Sequence, residues 1–427
     1  MRLMSHAPCR ALGLAPSFGF GDRIGLATPG HISAMRMAGS GIEPIFPQQS
    51  IREMERTGRS PAKVLEDALS AMRRAGWQEG TGADADHLKT ADDVRVTVAA
   101  GFTFFTIDPS DHVDRHTESY DEATLRARYQ QVGDPFDWCD RYAGHRMRLD
   151  TGREMVLDDE DLVRAVVKYG LAARHAIDLT RHIDTLCGES GREYEIELSV
   201  DETPHATSLT EHYLLAHECL QAGMRLVSLA PRLPGDFEKG VDYKGDIDHL
   251  ERALEDHAAV ARQLGPYKLS LHSGSDKLSI YPLLARITRG QFHVKTAGTS
   301  YLEALRVVAR HDPQLLREII DFARTRYESD RATYHLSASL RQVPAPADIA
   351  PDADLERIYL GDWGRARPGC GLTEPGRQII HCTFGSVLTD SRLRPRLRDL
   401  LTSHAATYEE VLADHFGRHL RALGEGM

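Results

Sequence analysis

Three histidines lie at one parity of three successive apolar segments in the second half of the chain: His272 in 267–272, His293 in 291–295 and His335 in 333–337. In an extended strand alternate side chains share a face, so this parity collects all three imidazoles on the face opposite the apolar residues. Imidazoles that converge with carboxylates form the donor set of a borderline divalent cation such as Zn²⁺, Mn²⁺, Ni²⁺ or Co²⁺. His272, His293 and His335 are therefore the candidate metal ligands. Their carboxylate partner stays open between Asp108, Asp201 and Glu197, and a lone inward histidine is more often a hydrogen-bonded core residue. The segment 194–200 alternates in the same way. Glu195, Glu197, Ser199 and then Asp201 share one parity, with Ile196, Leu198 and Val200 on the other. After His272 the loop runs Ser273, Gly274, Ser275, Asp276, Lys277. Small residues, hydroxyls and an ammonium directly after a strand suit an anion, so Ser273, Ser275, Asp276 and Lys277 are candidate substrate-binding residues. An ordinary turn with a helix cap at Ser275 fits the same residues. Lys295 shares the parity of His293 and is read as a Schiff-base former, a general acid or a counter-ion.

Positioning these groups requires a set of strands whose carboxyl ends meet. Apolar or alternating segments at 102–107, 194–200, 224–229, 267–272, 291–295 and 333–337 read as strands, with 378–383 and part of 18–27 as further ones. Helical patterns separate them, for example after Ser208 and over 246–264. Alternation of strand and helix implies parallel pairing with right-handed crossovers, and seven or eight such units predict an α/β fold of (β/α)8 TIM-barrel type. An open doubly wound sheet is the alternative. The barrel is preferred because polar residues recur on one strand parity, as a polar barrel mouth requires. The expected organisation is a single barrel domain over 1–427 with long loop insertions at about 108–157 and 341–377.

Composition narrows the function. With 52 Lys+Arg against 63 Asp+Glu the net charge is −11, which argues against a nucleic-acid partner. No apolar run is long enough for a transmembrane helix, and the N-terminal residues make a poor secretory signal. The 6 cysteines contain no C-x-x-C pair and read as reduced thiols, so a cytoplasmic protein is expected. The glycines at 19, 21 and 25 lack the spacing and the strand–helix context of a dinucleotide loop, so no nicotinamide is expected. Oligomeric state is not readable.

Four segments carry a resemblance. They are 18–31 (FGFGDRIGLATPGH), 104–110 (FFTIDPS), 268–281 (KLSLHSGSDKLSIY) and 293–301 (HVKTAGTSY). Together they resemble the tagaturonate/fructuronate epimerase family. The resemblance implies a metal-dependent isomerase that interconverts two ketohexuronates at C4, with related free ketohexoses as further substrates. The C4 hydrogen is beta to the C2 ketone and is not acidified by it, so retro-aldol cleavage and re-formation of C3–C4 is the expected route. That route needs a base and an acid at C4, for which Asp108 and Glu202 are the candidates, with Lys295 as a third catalytic residue. A metal- or Schiff-base-dependent aldolase or lyase acting on a sugar acid is the competing reading. A non-catalytic sugar-acid binding protein is the third.

Overall fold

The structure is a computed structural model that describes residues 9–334 and 336–427. The candidate ligand His335 lies outside the described residues. Eight strands close into a parallel barrel: β1 (Ser17–Gly21), β2 (Glu43–Ser50), β3 (Gly82–Leu88), β4 (Phe104–Ile107), β7 (Glu195–Ser199), β8 (Leu226–Ala230), β9 (Lys268–Leu271) and β10 (Phe292–Thr296). The order around the barrel is β1-β10-β9-β8-β7-β4-β3-β2. A separate antiparallel hairpin pairs β5 (Arg146–Arg148) with β6 (Glu154–Val156).

Alternation builds the strands that carry the site. In β7, Ile196 and Leu198 are fully buried in the main hydrophobic core, while Glu197 takes the opposite parity. Cutting either apolar side chain to alanine would cost about 2–5 kcal/mol. β3 follows the same rule with smaller residues: Ala83 and Ala85 join that core, and Asp84 and Asp86 take the other parity.

Helices close the crossovers with local signals that are visible in the chain. Ser60 accepts from the Lys63 N–H to start Pro61–Ala75, and Gly76 ends it at φ 64°. Capping boxes open Ala91–Ala100 (Thr90, Asp93) and Leu209–Gln221 (Ser208, Glu211). The helix Asp159–Ser190 links β4 to β7. Before it, residues 108–157 form an excursion anchored to the helix Ile247–Leu264 by Arg262 on Asp150 (2.7 Å) and Arg153 on Asp256 (2.5 Å). Residues 341–377 carry the helix Asp352–Leu360 and irregular chain around it. The C-terminal helix Ala405–Gly424 packs on Thr28–Ala38 and Thr299–His311.

The barrel class holds, but two of its strands differ from those expected. The segment expected as a strand at 333–337 instead follows a 3-10 turn, Arg331–Thr333, and is irregular over 336–339. The segment at 378–383 falls mostly within a helix, Pro375–Cys382, whose first residue is the proline favoured there. The two missing strands are β2 and β3. Among the described residues no helix is long and apolar enough to cross a membrane.

Candidate active site

The carboxyl ends of β3, β4, β7, β9 and β10 meet at one mouth of the barrel. At its floor the Lys295 ammonium contacts Asp84 (2.8 Å), Asp86 (2.8 Å) and Glu197 (2.9 Å), and donates to Thr106. All four charged side chains are buried. Burial works against the Lys295 charge, but the three carboxylates overcome it and hold the group protonated well above its usual range. Glu197 is likewise opposed by burial, yet Lys295 and His272 hold it well below the usual carboxylate range. Asp84 goes the other way: burial outweighs Lys295 and pushes it up to about 7.

Above this floor, His272 Nε2 lies 2.5 Å from Glu197 Oε1, and His272 Nδ1 lies 3.5 Å from Asp201. Ser199 donates to Asp201 at 2.8 Å and so fixes that carboxylate. His87 comes from the end of β3. Strict alternation would turn Asp86 and His87 to opposite faces. The β3–β4 register shifts between Ala85 and Leu88, and His87 adopts φ 52°. A non-glycine residue in this region costs about 1–3 kcal/mol. It is held there by the hydrogen bond between its Nδ1 and Asp108 (3.1 Å), with Asp86 3.6 Å from Nε2. Burial lowers the affinity of His87 for a proton, but Asp86 and Asp108 reverse this and raise it to about 10. Burial also opposes the charge of Asp86, and His87, Lys295 and His272 together hold that carboxyl well below its usual range.

Asp86, His87 and His272 each offer a donor atom, and these atoms lie within 4.8 Å of one another. One carboxylate and two imidazoles suit a borderline divalent cation. The Asp108 bond to the far nitrogen of His87 is the outer contact that a metal-bound imidazole ordinarily has. Glu197 Oε2, buried beside His272, has no hydrogen-bond partner. The residues present therefore fit a divalent cation, whose binding would displace the proton on His87. Beyond the triad opens a cavity of about 810 Å³, whose lining includes Asp201, Glu202, Arg232, Lys239, His272 and Ser273.

The residues expected from sequence divide sharply. His272, Lys295, Ser273 and Glu202 all reach the mouth, the last as an exposed residue of the cavity wall. Asp108 reaches it only as the partner of His87: it is buried and also accepts from the Ser110 N–H at 2.9 Å, so it orients an imidazole and does not face the cavity. His293 sits two residues below Lys295 on β10. Its Nδ1 is bonded to Ser17 Oγ (2.9 Å) and its ring lies against Phe104, away from the donor triad. Ser275, Asp276 and Lys277 turn away from the cavity. Lys277 is fully buried and donates to the carbonyls of Glu238, Val241 and Ser275. Asp276 pairs with Arg377 and His415 behind the loop, each at 3.0 Å. An ammonium and a carboxylate spent inside the protein are not available to a sugar acid.

Sequence reasoning missed Asp84, Asp86 and His87, and the cations Arg52, Arg232 and Lys239 of the cavity wall. The signal for the first three is the alternation of Ala and Asp in 82–88, which has the period of a strand without its usual β-branched residues.

A family model described as tagaturonate epimerase matches residues 2–423. A curated tagaturonate/fructuronate epimerase of Thermotoga maritima is 41% identical over 424 residues, covering 97% of this chain and 82% of that protein. The crystal structure of a fructuronate-tagaturonate epimerase from Cohnella laeviribosi with one glycerol superposes with a TM-score of 0.89 at 35% identity, over 98% of this chain and 83% of the other. Its native form gives 0.88 over the same shares. Long signature segments, a closed barrel and matches over nearly the whole chain agree: the chain belongs to the tagaturonate epimerase family.

Proposed function

We propose that this barrel mouth interconverts tagaturonate and fructuronate at C4 by retro-aldol cleavage and re-addition, with a divalent cation (Zn²⁺, Mn²⁺, Ni²⁺ or Co²⁺) held by Asp86, His87 and His272. The observation that carries the reading is the convergence of those three donors at the carboxyl ends of β3 and β9. The cation would supply Lewis-acid stabilisation of negative charge at the ketone end of the sugar.

The protein's own groups supply the rest. A base takes the C4 hydroxyl proton, the electron pair of that O–H closes the C4 aldehyde, and the C3–C4 pair passes into the C2–C3 enediolate. The aldehyde then turns its other face and the steps run backwards. Glu202 and Asp201 line the cavity and are the carboxylates placed to move this proton. Asp108 is replaced in that role because His87 and Ser110 occupy it. Lys295 keeps Asp86 and Glu197 ionised and in place. Three carboxylates within 2.9 Å hold it as an ammonium, which opposes a Schiff-base aldolase because that chemistry begins from the free amine. The substrate is a free ketohexuronate. The 6 free cysteines suit a reducing cytoplasm.

Proton NMR of a ketohexuronate, with and without chelation and metal return, tests the reading. The expected result is C4 epimer formed without accumulating three-carbon fragments, lost on chelation and restored by metal. Fragment accumulation would support the aldolase, and full activity in chelator would contradict the cation.

A further inference from the structure

We propose that Lys239 takes the substrate's carboxylate and thereby makes this cavity selective for uronates. This rests on the epimerase reading above. The floor of the site is acidic, with Asp84, Asp86 and Glu197 around one lysine, and Asp201 and Glu202 add charge to the wall. A carboxylate laid on that floor would meet like charge, so the anionic end must face a cation on the wall. Arg52, Arg115, Arg232 and Lys239 line the cavity, and none has a carboxylate within 4.0 Å among the described residues.

Position selects Lys239 from the four. Its Nζ donates to Ser273 Oγ at 2.9 Å, and Ser273 directly follows the donor His272. The substrate carboxylate is only two carbons from C4, so its partner must stand beside the reacting carbon and not at the rim. Arg115 sits on the exposed excursion before the long helix, and Arg52 is an exposed residue of the helix Ile51–Thr57 after β2. Arg232 lies over the Phe237 ring. Glu238, next to Lys239 in the chain, is spent on Lys244, Ser337 and Gln378. Because Lys239 donates into the Ser273 oxygen, the Ser273 hydroxyl hydrogen remains free. Ammonium and hydroxyl then present two adjacent donors to one carboxylate.

The test compares D-fructuronate with its methyl ester, which removes the charge and keeps the sugar. On metal-loaded enzyme, affinity by calorimetry and kcat/KM by NMR are measured for wild type, Lys239→Met and Lys239→Arg. The expected result is that Lys239→Met lowers the acid-over-ester preference about tenfold to a hundredfold, in both binding and kcat/KM, and that Lys239→Arg restores most of it. Equal losses for acid and ester would overturn the proposal and make Lys239 a structural residue. An unchanged preference would also overturn it and place the carboxylate elsewhere on the wall. If wild type binds the acid in preference to the ester but epimerises neither, the epimerase reading fails while the binding measurement still decides the role of Lys239.

Discussion

Among the described residues two clusters of buried acids, cations and histidines each bring together three potential metal donors. One is the barrel mouth, with Asp86, His87 and His272. The other lies behind the β9 loop, where Asp276, His415 and His419 meet. The second is the more deeply buried, yet its groups are committed to one another. His419 accepts from the Asp276 N–H at Nε2 (3.1 Å) and donates from Nδ1 to the His415 carbonyl (2.9 Å), so neither nitrogen has a lone pair to give. His415 bridges Asp276 (3.0 Å) and Glu303 (3.2 Å), and Arg377 and Arg306 complete the neutralisation. The mouth has the same residue types but opens on the cavity, whose lining includes His87 and His272. Buried charge alone does not mark a site; donor atoms gathered beside an open cavity do.

The largest effect should come from the mouth. His272→Ala should cut epimerisation by well over about a hundredfold, beyond the 10–100-fold usual for outer contacts, while thermal unfolding shifts little. Kinetics and a melting curve on one preparation check this. If activity stays within tenfold, the triad is misassigned.

The second cluster should respond in stability instead. Arg377→Met leaves Asp276 and Glu303 short of a cation at a fully buried position, and should cost about 3–5 kcal/mol by denaturant unfolding. Metal content should be unchanged. A loss of metal with no loss of stability would reverse the contrast between the clusters.

Asp108→Asn sharpens the mouth itself. Loss of the carboxylate behind His87 should weaken metal affinity about 10–100-fold and leave the fold intact. An unaltered affinity would mean that His87 is held by its backbone alone.

The smallest effect is one of pH. Burial opposes a charge on His415, but Glu303 and Asp276 raise its proton affinity above the ordinary 6.5. Its stabilisation is thus fully present below pH 6.5 and is lost as pH rises through the folded value. Asp276 and Glu303 are depressed below 3.8 and 4.5, so theirs is present above those values and is lost as pH falls through the folded ones. Arg377, Arg306 and His419 face the same groups and set the balance. The stability difference between wild type and His415→Gln should therefore shrink as pH is raised above 6.5. A difference independent of pH would mean that His415 is uncharged at neutrality.

Much of this contrast is legible in the chain, for identifiable reasons. β7, β9 and β10 alternate apolar and polar residues, so residue pattern alone turns Glu197, His272 and Lys295 inward. β3 alternates too, but with alanine and aspartate, and β2 contains two prolines; neither looks like a buried strand by residue type. Missing β3 hid Asp86 and His87, and no period would reveal His87, because a register shift turns it to the mouth. The loop 272–277 misled in the opposite direction. Its composition is that of an anion loop, but beyond His272 only Ser273 faces the cavity, because the Lys277 ammonium finds three carbonyls inside the protein. Local sequence shows which groups are present, and long-range packing decides which are already spent.

The most direct test of that distinction is a Co²⁺ titration of metal-free protein, read by the visible absorption of the bound ion. Wild type and His419→Gln should each take up a single tight equivalent, and Asp86→Asn and His272→Ala should not, with all four folded by circular dichroism. Tight uptake by Asp86→Asn together with loss in His419→Gln would place the cation in the closed cluster and contradict the account.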